Sequence, residues 1–279
     1  MPDPTMPDPM ILDYYAERYE ERARLGRAMG RLERLRTADI LARVLPAAPA
    51  VVLDVGGGPG AYAVPLAQQG YAVHLVDLVP RHVAQATEAA EAMGVSLASA
   101  RVGDAAALPF DDGVADAVLL LGPLYHTQEE EARVAVFREA ARVARPGAWV
   151  VAAGISRYAS ALDGMLQELL MDPVFVEIVA ADLESGRHMN PTADPRYFTT
   201  AYFHEPGQLE AEARAAGLTP VSTLAVEGPA SLLGDVEARL DDPDRAALLM
   251  SVLRRLEAVP ALLGASWHHL ALARAPEGR

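Results

Sequence analysis

The chain has 279 residues, half of them apolar (51%), and no cysteine, which excludes a disulfide scaffold, a thiolate metal site and a cysteine nucleophile and gives enough apolar surface for a sizeable core. A formal net charge of −14 repels phosphate backbones and argues against a nucleic-acid partner. No apolar run approaches the ~18 residues a membrane helix needs, and the Pro/Asp-rich opening lacks the basic and apolar regions of a secretion signal, so a cytoplasmic location is expected.

A helical pattern begins at Met10 and carries Tyr14, Tyr15 and Tyr19. A second runs from Gly30 to Leu45 with Leu32, Leu35, Ile40, Leu41 and Val44 on one face, and Pro46 and Pro49 end it. Val51 to Val55 is apolar except for Asp54, as suits a strand covered on both faces of a parallel sheet. Gly56-Gly57-Gly58-Pro59-Gly60 follows, and a helix is predicted from Ala61 to Gln69. Glycines serve where the backbone turns at positive φ and lets a ligand approach, and Asp54 lies at the carboxyl end of the strand, where open α/β sheets bind ligands. Ala72 to Val76 is a second apolar run that ends in Asp77, an acid placed to take both hydroxyls of a ribose. The turn and the spaced acid together indicate a nucleoside-containing cofactor.

Val52-Leu53-Asp54-Val55-Gly56-Gly57-Gly58-Pro59-Gly60 resembles the first motif of the class I S-adenosylmethionine (SAM)-dependent methyltransferases. A nicotinamide-binding turn more often reads G-x-G-x-x-G without an acid two residues before the first glycine. The resemblance runs from about Val51 to Gly154. It implies a Rossmann-like, seven-stranded, mostly parallel sheet with helices on both faces, and SAM as cofactor. It further implies that Asp54, Gly56, Gly58 and Gly60 hold the methionine part and that Asp77, with Leu78 beside it, holds the ribose. The helices around Tyr14, Tyr15 and Tyr19 resemble the cover that closes over the cofactor; Tyr14 and Tyr19 are its cofactor candidates and Tyr15 a substrate candidate.

After Asp77 a helix is expected from Pro80 to Met93 and a third strand from Val95 to Val102. Gly103-Asp104-Ala105 resembles the motif whose acid receives the adenine amino group. Asp116 to Leu121 is the fourth strand, and Gly122-Pro123 break it at its carboxyl end, so Leu121 borders the cofactor while Tyr125 and His126 project toward the methyl group and the substrate. The (D/N)-P-P-(F/Y/W) motif of enzymes that methylate nucleobase amino groups is missing here. A neutral imidazole can accept a proton from a hydroxyl or amine, so His126, with Tyr125, is the catalytic candidate; both are also substrate candidates. Glu129 to Ala144 is a helix with acids early and arginines late. Arg145-Pro146-Gly147-Ala148 resembles the family's turn into strand five, with an alanine in place of the second glycine.

Ser156 to Asp194 is expected to form two helices that roof the substrate, and Arg157, Arg196, Tyr202 and His204 are further substrate candidates. A helix from Glu205 to Ala216 and a sixth strand from Thr219 to Val226 follow. Glu227 to Ser266 is predicted to add two helices that pack beside the roof or against a second copy of the chain. The last strand starts at Trp267; His268 and His269 point to opposite faces of it, and no metal site is expected. The expected organisation is one domain over 1–279, with a core at about 46–154, 205–226 and 266–275 and a helical cap from 10–45, 156–200 and 228–264. The expected activity is methyl transfer to oxygen, nitrogen or activated carbon of a small molecule, possible in secondary metabolism. Non-methyl SAM chemistry, a nicotinamide oxidoreductase and a non-catalytic SAM-binding subunit stay open.

Overall fold

The computed structural model describes residues 28–192 and 194–278, so Tyr14, Tyr15 and Tyr19 lie outside the described residues. Helix α1 (Ala28–Val44) leads into β1 (Val51–Val55), α2 (Ala63–Gln68), β2 (Ala72–Asp77), α3 (Pro80–Ala92), β3 (Ser99–Val102) and β4 (Ala115–Leu120). Next come α4 (Glu130–Val143), β5 (Ala144–Ser156), α5 (Ala159–Leu166), α6 (Pro173–Ser185), β6 (Arg187–His188) and β7 (Ala201–His204). The chain continues through α7 (Gln208–Ala215), β8 (Thr219–Ala225), α8 (Val236–Asp241), α9 (Pro243–Leu256), α10 (Pro260–Leu263) and β9 (His268–Arg274).

β1 sits between β2 and β4, both parallel to it, and the strand order reverses there. Its residues are apolar because both faces are covered. Val52 packs with Ile40, Leu41, Ala63 and Leu66 on the side of α1 and α2. Leu53 and Val55 pack with Phe137 and Leu209 on the side of α4 and α7. Local signals set the helix ends. Pro80 opens α3 behind an extended Val79. The Asp172 carboxylate caps α6 by accepting from the Val174 N–H, and Gly186 ends that helix in the left-handed conformation.

Three differences from the sequence reading stand out. The third strand starts at Ser99 rather than Val95, because the Gly94 and Val95 amides bond back to Glu91 and Ala90 and carry the chain around the end of α3. The sheet has nine strands among the described residues, not seven. Seven of them follow the expected pattern, with β9 antiparallel to both β5 and β8, and the extra two are β6 and β7. β7 runs parallel to the end of β5, pairing Phe203 with Ile155 and His204 with Ser156. All four of its residues are buried, so it shows no inside–outside alternation for sequence reading to find. Finally, the segment before β9 holds three helices and a 3₁₀ turn (Gly228–Leu232) instead of two helices.

Candidate active site

The glycine turn leaves β1 at the switch point of the sheet. The Gly56 and Gly57 amides both donate to the Val76 carbonyl (2.7 and 3.3 Å), which fastens the turn to the end of β2. Gly56, Gly58 and Gly60 all have positive φ (69°, 54° and 83°). A methyl group on Gly56 would sit 2.7 Å from Pro123 Cδ, so the turn is packed against the break after β4. One on Gly58 would meet no atom within 4 Å, so the turn is open there.

Asp54 is fully buried under this turn, and neither carboxylate oxygen makes a hydrogen bond. Burial, and secondarily the nearby Asp77 charge, push its carboxyl up to about 7, while the Ala63 amide pulls the other way. Asp77 closes β2 with one oxygen accepting from the Gly58 N–H (2.8 Å) and the other from the Val79 N–H (2.9 Å). Leu78 lies between those contacts, half-buried. His82, which the sequence reading passed over, faces the same carboxylate with Nδ1 3.1 Å from Oδ1. It follows Asp77 by five residues and falls in the first turn of α3, a spacing that becomes a contact only when the turn between β2 and α3 is formed.

The remaining cofactor candidates line the same edge. The Gly103 amide donates to the Asp77 carbonyl (3.1 Å). The Asp104 carboxylate accepts from the Ala106 N–H (2.8 Å), forming a tight turn, and Ala105 packs partly on the core beneath. After β4 the chain makes a 3₁₀ turn (Leu124–His126). There the Tyr125 hydroxyl donates to the Leu121 carbonyl (3.2 Å), and the Tyr125 and His126 rings meet edge to face at 4.7 Å. Phe198 lies 6.3 Å from the His126 ring. Burial drives the His126 imidazole down to about 4, against the pull of the Thr200 backbone carbonyl, so it is neutral near pH 7. Tyr125 and Phe198 join Ile155, Ala159, Ala201, Phe203 and Trp267 in one apolar cluster.

The four remaining substrate candidates are not gathered there. Tyr202 and His204 occupy the face of β7 opposite to Ala201 and Phe203, as strand alternation dictates. The Arg133 guanidinium lies 3.6 Å over the Tyr202 ring, and His204 is enclosed with Nε2 3.5 Å from Glu212. The expectation that these two side chains line the pocket is therefore corrected: they belong to a buried polar layer whose centre is the Arg133–Glu212 pair (2.8 Å). Arg157 reaches Glu205 (2.8 Å) at the rim of that layer. Arg196 pairs with Asp194 two residues away (2.7 Å) in a solvent-exposed turn, and this correction has a local cause, since the nearest carboxylate captures the guanidinium. His269 is buried against the Leu263 carbonyl (2.8 Å). His188 ties α6 to β7 and the 3₁₀ turn before it, bonded to Asp182 (2.9 Å) and to the Tyr197 carbonyl (2.6 Å) and stacked on Phe203.

A sequence model of the family described as "Methyltransferase domain" matches residues 52–147. Norajmaline N-methyltransferase of Rauvolfia serpentina is 39% identical over 105 residues, 37% of this chain and 35% of that protein, so the chain spans about a third of the length of this curated relative. Among solved structures, a SAM-dependent methyltransferase of Thermotoga maritima has the same fold (TM-score 0.58, 16% identity, 95% of this chain and 99% of that one). Geranyl diphosphate C-methyltransferase of Streptomyces coelicolor is similar to the same degree (TM-score 0.56, 16% identity, 95% and 97% covered). The cyclase SpnF also shares the fold (TM-score 0.56, 20% identity, 88% and 82% covered). The part of the chain that carries the glycine turn thus matches a methyltransferase-domain family model, and the whole described fold is that of SAM-dependent methyltransferases of known structure.

Proposed function

We propose that this chain transfers a methyl group from SAM to a small organic molecule, at an oxygen, a nitrogen or an activated carbon, as a cytoplasmic enzyme of secondary metabolism. The observation that carries the reading is Asp54: a fully buried carboxylate with no hydrogen bond, set under a glycine turn that is open above Gly58. Burying a carboxylate without a partner is costly, and a cationic ammonium such as that of the SAM methionine would relieve the cost. Asp77, whose carboxylate is fixed by the Gly58 and Val79 amides and faced by His82, would receive the ribose. Gly103, Asp104 and Ala105 would border the adenine, and Leu121 the methyl end.

When bound, SAM supplies a sulfonium-activated methyl group for in-line displacement. The work left to the chain is alignment and proton removal. His126, neutral near pH 7, can take a hydrogen bond or a proton from an attacking hydroxyl or amine. Tyr125, Phe198 and Trp267 offer an apolar wall against which a small organic substrate would pack. The small-molecule substrates named for the Rauvolfia and Streptomyces proteins support that class, as does the net charge of −14, which opposes a nucleic-acid target. Residues 46–154, 205–226 and 266–275 would form the core of a single domain, and the helices after β5 and after β8 its cap, with a second copy of the chain as a candidate neighbour.

The alternative is SAM binding without methyl transfer, since the same fold also occurs in a cyclase. Calorimetry with SAM, S-adenosylhomocysteine and NAD tests the cofactor; binding of NAD and of neither sulfur nucleoside would refute the reading. Mass analysis of products from a substrate screen then separates methyl transfer, which adds one CH₂ to the substrate, from the alternative, which adds none.

A further inference from the structure

The carboxyl edge of the sheet carries a second cluster, on the far side of β5 from the glycine turn. Glu33 comes from α1, Glu227 lies two residues past the end of β8, and His268 opens β9. His268 Nδ1 is 2.6 Å from Glu227 Oε1 and 3.9 Å from Glu33 Oε2. The three atoms all lie within 4.8 Å of one another. The side chains are 13%, 1% and 18% exposed in chain order, so the cluster is sheltered on the Glu227 side and reachable from the side of the other two.

Two features separate this cluster from an ordinary histidine–carboxylate pair. The first is composition. Two carboxylates and one imidazole bring their ligand atoms within 4.8 Å of one another. Among the described residues, the buried Glu227 carboxylate takes its hydrogen bonds from Ser266 and His268. Arg36, one turn further along α1, is committed to the Val226 carbonyl, Asp39 and Glu257. The second is orientation. Glu227 Oε2 is held by the Ser266 hydroxyl (2.9 Å) and the His268 N–H (3.0 Å). The Ser266 oxygen in turn accepts from the Glu227 and Gly228 amides (3.1 and 3.0 Å). Outer bonds that fix a carboxylate and leave its other oxygen facing an imidazole are what a metal ligand requires.

We propose that Glu33, Glu227 and His268 form a site for a divalent transition-metal ion of the zinc type. One imidazole and two carboxylates suit an ion of intermediate softness, and three protein ligands leave a coordination position on the solvent side. Binding needs the Nδ1 lone pair and both carboxylates ionised, so in the bound form the ring would carry its proton on Nε2. The ion would clasp α1 to the β8–β9 edge. Trp267, one residue earlier, packs into the cluster with Tyr125 and Phe198, so the clasp borders the substrate wall without touching the reacting atoms.

The test uses the full chain stripped with EDTA and titrated with Zn²⁺ by calorimetry and with Co²⁺ by visible absorption. One equivalent of each should bind with a rise in melting temperature, and His268→Asn should weaken uptake by at least about tenfold. Glu33→Gln, on the accessible side of the cluster, should weaken it too, and it decides the matter if a change at the buried Glu227 or at His268 prevents folding. The absence of saturable uptake, or uptake unchanged in Glu33→Gln or His268→Asn, overturns the proposal. Neither outcome depends on whether the chain methylates anything.

Discussion

At the scale of single residues, Asp54 links stability and binding. Replacing it with Asn removes a buried charge that has no partner in the cofactor-free chain, so Asp54→Asn should melt at the same temperature or higher while losing SAM affinity. A hydrogen bond to a charged group is worth about 1.5–3 kcal/mol, which corresponds to a loss of about ten- to a hundredfold, readable by calorimetry beside a thermal melt. A variant that binds SAM normally would remove Asp54 from the site. The titration of the same group gives a second expectation. Its carboxyl is raised from 3.8 to about 7, so between those values the folded chain holds a proton that the unfolded chain lacks, and the stability this contributes is lost as pH rises through about 7. A cationic ligand favours the carboxylate and expels that proton on binding. SAM affinity should therefore rise with pH up to about 7 and level off above it. Calorimetry in two buffers of different ionisation enthalpy should detect the released proton below about pH 7 and none well above it.

These residues were also the legible ones. An acid two residues before a run of glycines, and a second acid ending the next apolar run, are local patterns set by the chain's own turns. His82 was less visible, since a histidine in the first turn of a helix signals nothing until the fold brings Asp77 to it. Tyr202 and His204 were misplaced for a related reason. Their polar and aromatic character fits a pocket, yet the strand that carries them fixes by alternation which face they occupy, and that strand was not itself legible.

At the scale of elements, α4 and α7 are joined by the Arg133–Glu212 pair, whose side chains are 1% and 2% exposed. Breaking such a pair leaves one uncompensated buried charge and typically costs about 3–5 kcal/mol. Arg133→Met should lower the urea midpoint by a corresponding amount, and the double variant with Glu212→Leu should recover much of the loss. A single variant as stable as the parent would show that the pair is replaceable. Helix boundaries were read well wherever a cap or breaker was present, as at Pro80 and Asp242, whose carboxylate accepts from two amides of α9. Short strands were not. β6 has two residues and β7 four, and both arise from pairing with a distant partner rather than from local propensity.

At the scale of the whole molecule, buried side chains concentrate in two layers on either side of the sheet, whereas the outer surface after β5 leaves Met165, Leu170 and Met171 exposed. Between α5 and α6 the chain passes through Glu168 at a φ of 57°, a conformation costly for a residue with a side chain. Amide hydrogen exchange should accordingly be fast from 165 to 171 and slow in β1, β4 and β5, with SAM slowing the turn from Gly56 to Gly60 most. Uniform exchange across roof and sheet would contradict this gradient.

β5 spans 13 residues and pairs with β4, then with β9 along most of its length, and at its last residues with β7. The backbone that ends beside His126 is thereby continuous, through ladder bonds, with the segment that presents Phe198 and Phe203. For anyone exchanging roofs between relatives to change substrate, the practical unit of transplantation therefore starts before Ile155 and extends past His204. A graft cut at Ser156 would sever that ladder and set the new roof loose from the floor it must meet.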